Sequence, residues 1–260
     1  MPSSTVDVSQ ALDRHLRDLH LPTVRECYEP SARHAEAESL SYEQYLLELV
    51  ERECQQREHH RVERMLRHSR LPLEKDLEGF DLQRLPVKPA QQIRKLIDGG
   101  FVERQENVLA FGKPGSGKTH ALCAIGQELI RRSGGRTKVY FSRCALLVQE
   151  LLMAKQELKL SRLLKRLAGY HVLIIDDIGY VKQQREEVEV LFTLLAERYE
   201  RGSVMISSNL PFSQWEMIFK DPMTTAAAID RLVHHCVILE LNVPSYRLEQ
   251  AQKNKQRART

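Results

Sequence analysis

The sequence lacks any run of apolar residues approaching the ~18 that a membrane-spanning helix needs, so a membrane protein is not expected. Its first twenty residues carry Asp7, Asp13 and Arg14 with no apolar centre, which speaks against a secretory signal. Charge of one sign is missing too. Lys and Arg number 39 against 35 Asp and Glu, a net +4, so any surface for a polyanion has to come from local clustering. Cysteine is sparse: positions 27, 54, 123, 144 and 236 are scattered and odd in number, which suits free thiols in a reducing cytoplasm. No internal repeat is visible. Cys54 with His59 and His60, and His234-His235-Cys236, have no second ligand pair at zinc-like spacing, and adjacent residues on one element are expected to point apart. No Ser-His-Asp or Cys-His nucleophile set can be assembled. Membrane, secreted and fibrous classes fall away. The 260 residues, 42% hydrophobic and 28% charged, leave room for one large α/β domain and a smaller appendage.

Residues 1–70 read as helical and highly charged. Ser41-Tyr-Glu-Gln44 has the form of a capping box, and Tyr42, Tyr45, Leu46, Leu49 and Val50 follow it at helical spacing. Leu71-Pro72 and Leu85-Pro86-Val87-Lys88-Pro89 are expected to break helices and to frame a connector. After residue 100 the texture changes. Short apolar runs at 108–111, 139–141, 172–175, 204–207 and 237–241 alternate with helix-period segments at 119–132, 144–168 and 186–201. Strands buried on both faces between covering helices are what a parallel sheet requires.

The strongest motif is Gly112-Lys113-Pro114-Gly115-Ser116-Gly117-Lys118-Thr119, a full match to G-x-x-x-x-G-K-[ST]. A predicted strand enters it and a predicted helix leaves it. Glycines let the backbone curl so that several N–H groups cradle phosphate oxygens. The amides of Thr119 and His120 add the positive end of the helix. Lys118 is expected to reach the β- and γ-phosphates and the Thr119 hydroxyl to ligate Mg2+. Val172-Leu-Ile-Ile-Asp176-Asp177 is an apolar strand ending in two carboxylates. Asp176 could hold Mg2+, usually through water, and Asp177 could polarise the attacking water. Alone, such a strand end is commonplace; with the phosphate cradle it points to nucleoside triphosphate hydrolysis.

Two further residues have competing readings. Asn209 closes the run Val204-Met-Ile-Ser-Ser-Asn209 and either contacts the γ-phosphate and lytic water or starts the turn at Pro211. Arg231, in Ala228-Ile-Asp-Arg231-Leu-Val, is either a surface residue or a finger reaching the nucleotide of a neighbouring subunit. Trp215 with Phe212 reads as a packing anchor, and Leu146, Leu147, Leu151 and Leu152 read as helix core.

The order of cradle, Ile-Ile-Asp-Asp-Ile-Gly-Tyr, Ser-Ser-Asn-Leu-Pro-Phe and Asp-Arg-Leu-Val-His-His resembles the IstB branch of AAA+ ATPases, the insertion-sequence helpers related to DnaC-type helicase loaders. Leu71 to Asp81 and Ser245-Tyr-Arg247 fit the same pattern, so the resemblance covers roughly residues 40 to 250. Asn209-Leu-Pro-Phe-x-x-Trp215 and Asp230-Arg-Leu-x-His-His235 favour IstB over the loaders. The resemblance implies an α/β fold, a P-loop NTPase of the AAA+ (ASCE) type. A three-layer sandwich around a parallel five-stranded sheet would follow a small helical N-terminal domain. The domains it implies are 1–70 (helical, for oligomerisation and DNA or partner contact), 71–106 (connector and start of the ATPase domain), 107–242 (ATPase core) and 243–260 (basic tail). With few residues after the last predicted strand, no C-terminal lid domain is expected.

By position, the resemblance makes Asn209 a sensor, Arg231 the trans-acting finger and Arg247 a second phosphate contact, and it places the segment around Phe80 near adenine. Many AAA+ proteins have Glu where Asp177 stands; Asp is a methylene shorter, so turnover is expected to be slow. The function implied is a cytoplasmic, ATP- and Mg2+-dependent helper that oligomerises on double-stranded DNA and stimulates a cognate IstA-type transposase. A DnaC-type helicase loader, a P-loop small-molecule kinase and a non-hydrolysing scaffold are the alternatives. Arg57, Arg61, Arg64 and His68 would form one basic stripe, and Lys155, Lys159, Arg162, Lys165 and Arg166 a second cluster. Glu51, Glu53, Glu58 and Glu63 interleave with the first, which also reads as a solvated helix face.

Overall fold

The computed structural model describes residues 5–179, 185–219, 221–246, 248 and 249. The chain divides into two compact units between Glu63 and Arg64.

The first unit is built on α1 (Thr5–Asp18), α2 (Pro22–Ala37) and the greater part of α3 (Tyr42–His68). Ser41 N–H donates to Gln44 Oε1 at 2.8 Å and Gln44 N–H to Ser41 Oγ at 3.2 Å, the reciprocal capping box expected at the start of α3. Leu16, Val24 and Leu49 form the core, with Leu21, Cys27, Tyr28 and Tyr45 packed against it. The apolar spacing in α3 does not all point inward: Tyr42, Leu46 and Val50 are exposed. Buried Glu53 crosses to the start of α2, where Oε2 accepts from Thr23 N–H (2.9 Å) and Val24 N–H (3.2 Å). These are amides of the first helical turn, which have no partner within their own helix. Arg57 holds the other oxygen at 2.6 Å and donates to the His20 carbonyl.

In the second unit, β1 (Asn107–Phe111), β2 (Val139–Arg143), β3 (Val172–Asp176), β4 (Ser203–Ser208) and β5 (Cys236–Glu240) pair in parallel, in the order β2-β3-β4-β1-β5. α4 (Val87–Ile97) and α6 (Lys118–Arg132) form one outer layer; α7 (Cys144–Gln156), α9 (Arg185–Arg198) and α11 (Pro222–Val233) form the other. Short helices α5 (Gly100–Glu103), α8 (Leu160–Ala168) and α10 (Glu216–Phe219) complete the order. The sheet's one-way strands bring the C-terminal ends of β1 to β4 to one edge, where open α/β sheets bind ligands.

Three local expectations need correction. Segment 144–168 is two helices, because Leu158 takes a left-handed φ of 57° that ends the first. Pro86 and Pro89 do not break a helix but open one: Pro86 precedes α4 and Pro89 lies in its first turn, where a missing N–H costs nothing. Leu147 and Leu151 are core, but Leu146 faces solvent, one residue round the helix. Trp215 is fully buried, with Nε1 donating to the Leu210 carbonyl at 3.1 Å and ring contacts to Phe111, Phe212 and Phe219. The five cysteines form no disulfide; burial pushes the Cys123 thiol up to about 12, which makes it inert. Among the described residues, no helix is long and apolar enough to cross a membrane.

At the opposite edge of the sheet, buried Arg198 donates to the carbonyls of Leu167, Tyr170, His171 and Ser203 at 3.0–3.1 Å. Burial lowers its pKa to about 10, which still leaves it charged at neutral pH. The planar fork joins the turn before β3 to the turn before β4.

Arg198→Met is expected to cost about 3 kcal/mol by stranding those carbonyls, and Arg198→Lys to recover little of it; urea unfolding measures both. In the first unit, burial alone would raise the Glu53 carboxyl, but the Arg57 hydrogen bond and the Val24 and Thr23 amides outweigh it and hold its pKa below the usual carboxylate value. Its contribution is therefore present above the unfolded pKa of about 4.3 and lost as pH falls through the depressed folded value. Glu53→Gln should cost about 1 kcal/mol at pH 7 and progressively less in acid, followed by helix circular dichroism during urea unfolding at each pH.

Candidate nucleotide site

The segment between β1 and α6 curls because Gly115 (φ 82°) and Gly117 (φ 92°) adopt left-handed conformations. Space also demands glycine there. A Cβ on Gly117 would lie 3.2 Å from the Phe80 ring, and one on Gly115 would lie 2.0 Å from Ser245 Oγ. The first turn of α6 closes with Ala121 N–H to the Gly117 carbonyl at 2.8 Å. The amides of Lys118, Thr119 and His120 thus stand at the helix mouth, where an anion is favoured. Lys118 is buried and its Nζ donates to the Gly112 (2.8 Å) and Lys113 (3.1 Å) carbonyls, so it is held inside the loop.

Pro114 to His120 line a cavity of about 490 Å3 together with Asp176, Asp177 and Asn209. That volume is in the range of small-ligand sites. Asp176, buried at the end of β3, accepts on one oxygen, Oδ1, from Thr119 Oγ1 (2.7 Å) and Ser207 Oγ (2.6 Å). Two hard oxygen donors 2.7 Å apart are near the edge of a Mg2+ octahedron, about 3.0 Å for ~2.1 Å bonds, so Thr119 and Asp176 fit that ion. The next residue, Asp177, has a left-handed φ of 60°, uncommon outside glycine. Its N–H donates to Ser207 Oγ at 2.8 Å. Asn209 Oδ1 and Ser116 Oγ are buried without a hydrogen-bond partner among the described residues, a costly state for groups with no ligand to serve.

The cradle, Asp176, Asp177 and Asn209 are therefore brought together. Arg231 is not part of this lining: on α11, its guanidinium donates to the Ala227 carbonyl at 3.0 Å and sits 5.0 Å from the Phe192 ring centre. Arg247 lies outside the described residues, as does most of the basic tail. Phe80 does line the cavity, and its ring packs 5.1 Å from that of His120, whose Nε2 is 2.7 Å from the Asp76 carbonyl oxygen.

Sequence reasoning missed Ser207, Lys75, Arg84, Arg143 and Tyr246. Ser207 left a local signal, since a hydroxyl in a buried strand needs a polar partner; Lys75 and Tyr246 lie in stretches that carry the resemblance but were given no role there. Arg143 ends β2 in register with Asp176. Four of the nine cations in the two basic clusters pair with acids: Lys155 with Glu189, Lys159 with Glu157, Arg166 with Glu150, and Arg57 with Glu53. Arg162 and Lys165 have no acidic partner among the described residues. Adjacent His234 and His235 do not point apart as expected. Their rings are 4.1 Å apart, with a Glu200 donor atom within 4.8 Å of theirs, in an exposed group where the Tyr199 hydroxyl already engages His234.

Residues 14–254 match the family model described as IstB-like ATP binding protein. A putative insertion sequence ATP-binding protein of Sinorhizobium fredii is 39% identical, over 97% of this chain and 84% of that protein. The IS21 putative ATP-binding protein of Pseudomonas aeruginosa is 38% identical, over 84% of this chain and 82% of its own length. Among solved structures, the DnaC helicase loader superposes with a TM-score of 0.56 at 17% identity, covering 65% of this chain and 97% of that one, a likeness of fold. With this P-loop geometry on a parallel five-stranded sheet and this match along nearly its whole length, the chain belongs to the IstB-like ATP-binding protein family.

Proposed function

We propose that this chain is a cytoplasmic, Mg2+-dependent ATPase that assembles on double-stranded DNA, with ATP at subunit interfaces, and assists a cognate IstA-type transposase in insertion-sequence transposition. The observation that carries the reading is the meeting of the phosphate cradle, the Thr119–Asp176 oxygen pair and the unpartnered Asn209 amide oxygen in one cavity. The insertion-sequence names of the relatives supply the setting.

In this reading the amides at the mouth of α6 and Lys118 hold the β- and γ-phosphates. Thr119 and Asp176 hold Mg2+, which would neutralise charge on the same phosphates. Asp177 accepts a proton from the attacking water. Its carboxylate is set by a backbone turn that Ser207 fixes, and the shorter Asp arm makes slow turnover the expectation. Asn209 orients that water and contacts the γ-phosphate. Arg231, absent from its own chain's cavity lining, reaches a neighbour's nucleotide and makes hydrolysis depend on assembly. Arg247 is proposed as a further phosphate contact. The cations open to DNA phosphates are Arg61, Arg64 and His68 along α3, and Arg162 and Lys165 on α8.

Lys118→Ala is expected to abolish ATP binding and any nucleotide-dependent assembly, read by electron microscopy of protein on duplex DNA with ATP, ADP or neither. Arg231→Ala should bind ATP normally but lose hydrolysis by about 10³-fold. Mixing it with Asp177→Ala protein should restore phosphate release, since mixed interfaces pair an intact finger with an intact Asp177. Failure of that complementation would remove the finger from the proposal.

A further inference from the structure

We propose that Tyr246 forms the nucleoside-facing wall of the cavity and that Arg84 is the residue that positions it. The inference rests on the reading that a triphosphate occupies the loop between β1 and α6. With the phosphates fixed at the loop, the nucleoside has to extend along the rest of the 490 Å3 cavity, whose remaining lining includes Phe80, Leu85, Val243, Pro244 and Tyr246.

Tyr246 is half exposed, at 50%, yet its backbone is pinned. Its N–H donates to the Gly115 carbonyl at 3.1 Å, and the preceding Ser245 lies so close that no side chain fits on Gly115. Residue 246 is thereby registered to the loop. The ring is held as well. The Arg84 guanidinium sits 5.0 Å from its centre, while Arg84 Nη2 pairs with Glu249 at 2.6 Å. Arg84 and Tyr246 both line the cavity, so the cation and the ring it steadies form one wall of it, and a fixed aromatic group suits a nucleobase, which stacks on it. The segment after β5 thus meets the segment before α4 through one arginine.

The test compares ATP with inorganic tripolyphosphate, which needs the loop but no nucleoside wall, by calorimetry in Mg2+. Tyr246→Ala should weaken ATP about tenfold and leave tripolyphosphate unchanged, while Tyr246→Phe keeps wild-type affinity for both. Arg84→Met should weaken ATP several-fold in the wild-type background and add nothing to Tyr246→Ala, as expected of residues acting as one unit. Equal loss of both ligands would mean that Tyr246 acts through Gly115 and would overturn the proposal. So would unchanged ATP affinity, or an Arg84 effect that adds to that of Tyr246. Wild-type protein binding neither ligand would instead refute the phosphate-cradle reading, and the wall would fall with it.

Discussion

One buried carboxylate oxygen holds the nucleotide site together. Asp176 Oδ1 accepts from Thr119, on the helix after β1, and from Ser207, in β4. Ser207 then accepts from the Asp177 amide. Three elements distant in sequence converge on that atom, and the arrangement is available only because β3 is flanked in the sheet by β4 and faced by α6. A buried carboxylate is costly without donors or a counter-cation. Here hydroxyls supply the donors, and hydroxyls can turn their lone pairs toward a cation as readily as their protons toward an anion. The same oxygen cluster can therefore serve a closed, hydrogen-bonded loop and a Mg2+ site without a change of fold.

The three buried serines of β4 extend this logic. Ser203, Ser207 and Ser208 lie in a strand that is buried throughout, where apolar residues would pack at less cost. Each hydroxyl has a partner: the Phe101 carbonyl for Ser203, Asp176 for Ser207 and the Leu210 carbonyl for Ser208. The last two lie at the strand's C-terminal end, next to Asn209. Ser208 Oγ also accepts from Leu210 N–H at 3.1 Å, which turns the chain immediately after Asn209. The turn reading and the ligand reading of Asn209 are thus compatible: the backbone turn belongs to Ser208, and the Asn209 amide oxygen remains unpartnered in the cavity lining.

Much of this was legible in the sequence, for identifiable reasons. The five strands are short apolar runs bounded by polar residues, and the phosphate loop needs glycine and lysine at fixed spacing, so both leave local signatures. The capping box at Ser41 is equally local. What was not legible depends on contacts between distant segments or on one dihedral. Leu158 splits a continuous helical pattern through its left-handed φ, a state no apolar residue advertises. Pro86 and Pro89 start α4 where breakers were expected, because proline disrupts an interior and suits a first turn. Arg84 and Tyr246 meet only in three dimensions. The basic cluster around Lys155 to Arg166 looked free in one dimension, but Glu150 and Glu189 reach it across the fold.

The two edges of the sheet solve opposite electrostatic problems. At the N-terminal edge, Arg198 brings a single cation to four carbonyls and so fixes the turns that aim β3 and β4. At the C-terminal edge those strands deliver carboxylates and an amide to a cradle of N–H groups and Lys118. In the first cluster both terminal nitrogens of Arg198 are engaged and its Nε is left without a hydrogen-bond partner among the described residues. The second carries buried polar atoms, Ser116 Oγ and Asn209 Oδ1, that the protein alone does not satisfy. Rigidity at one edge allows incompleteness at the other: strands aimed by an arginine clamp on four carbonyls can hold unsatisfied groups in place until a polyanion and its cation complete them.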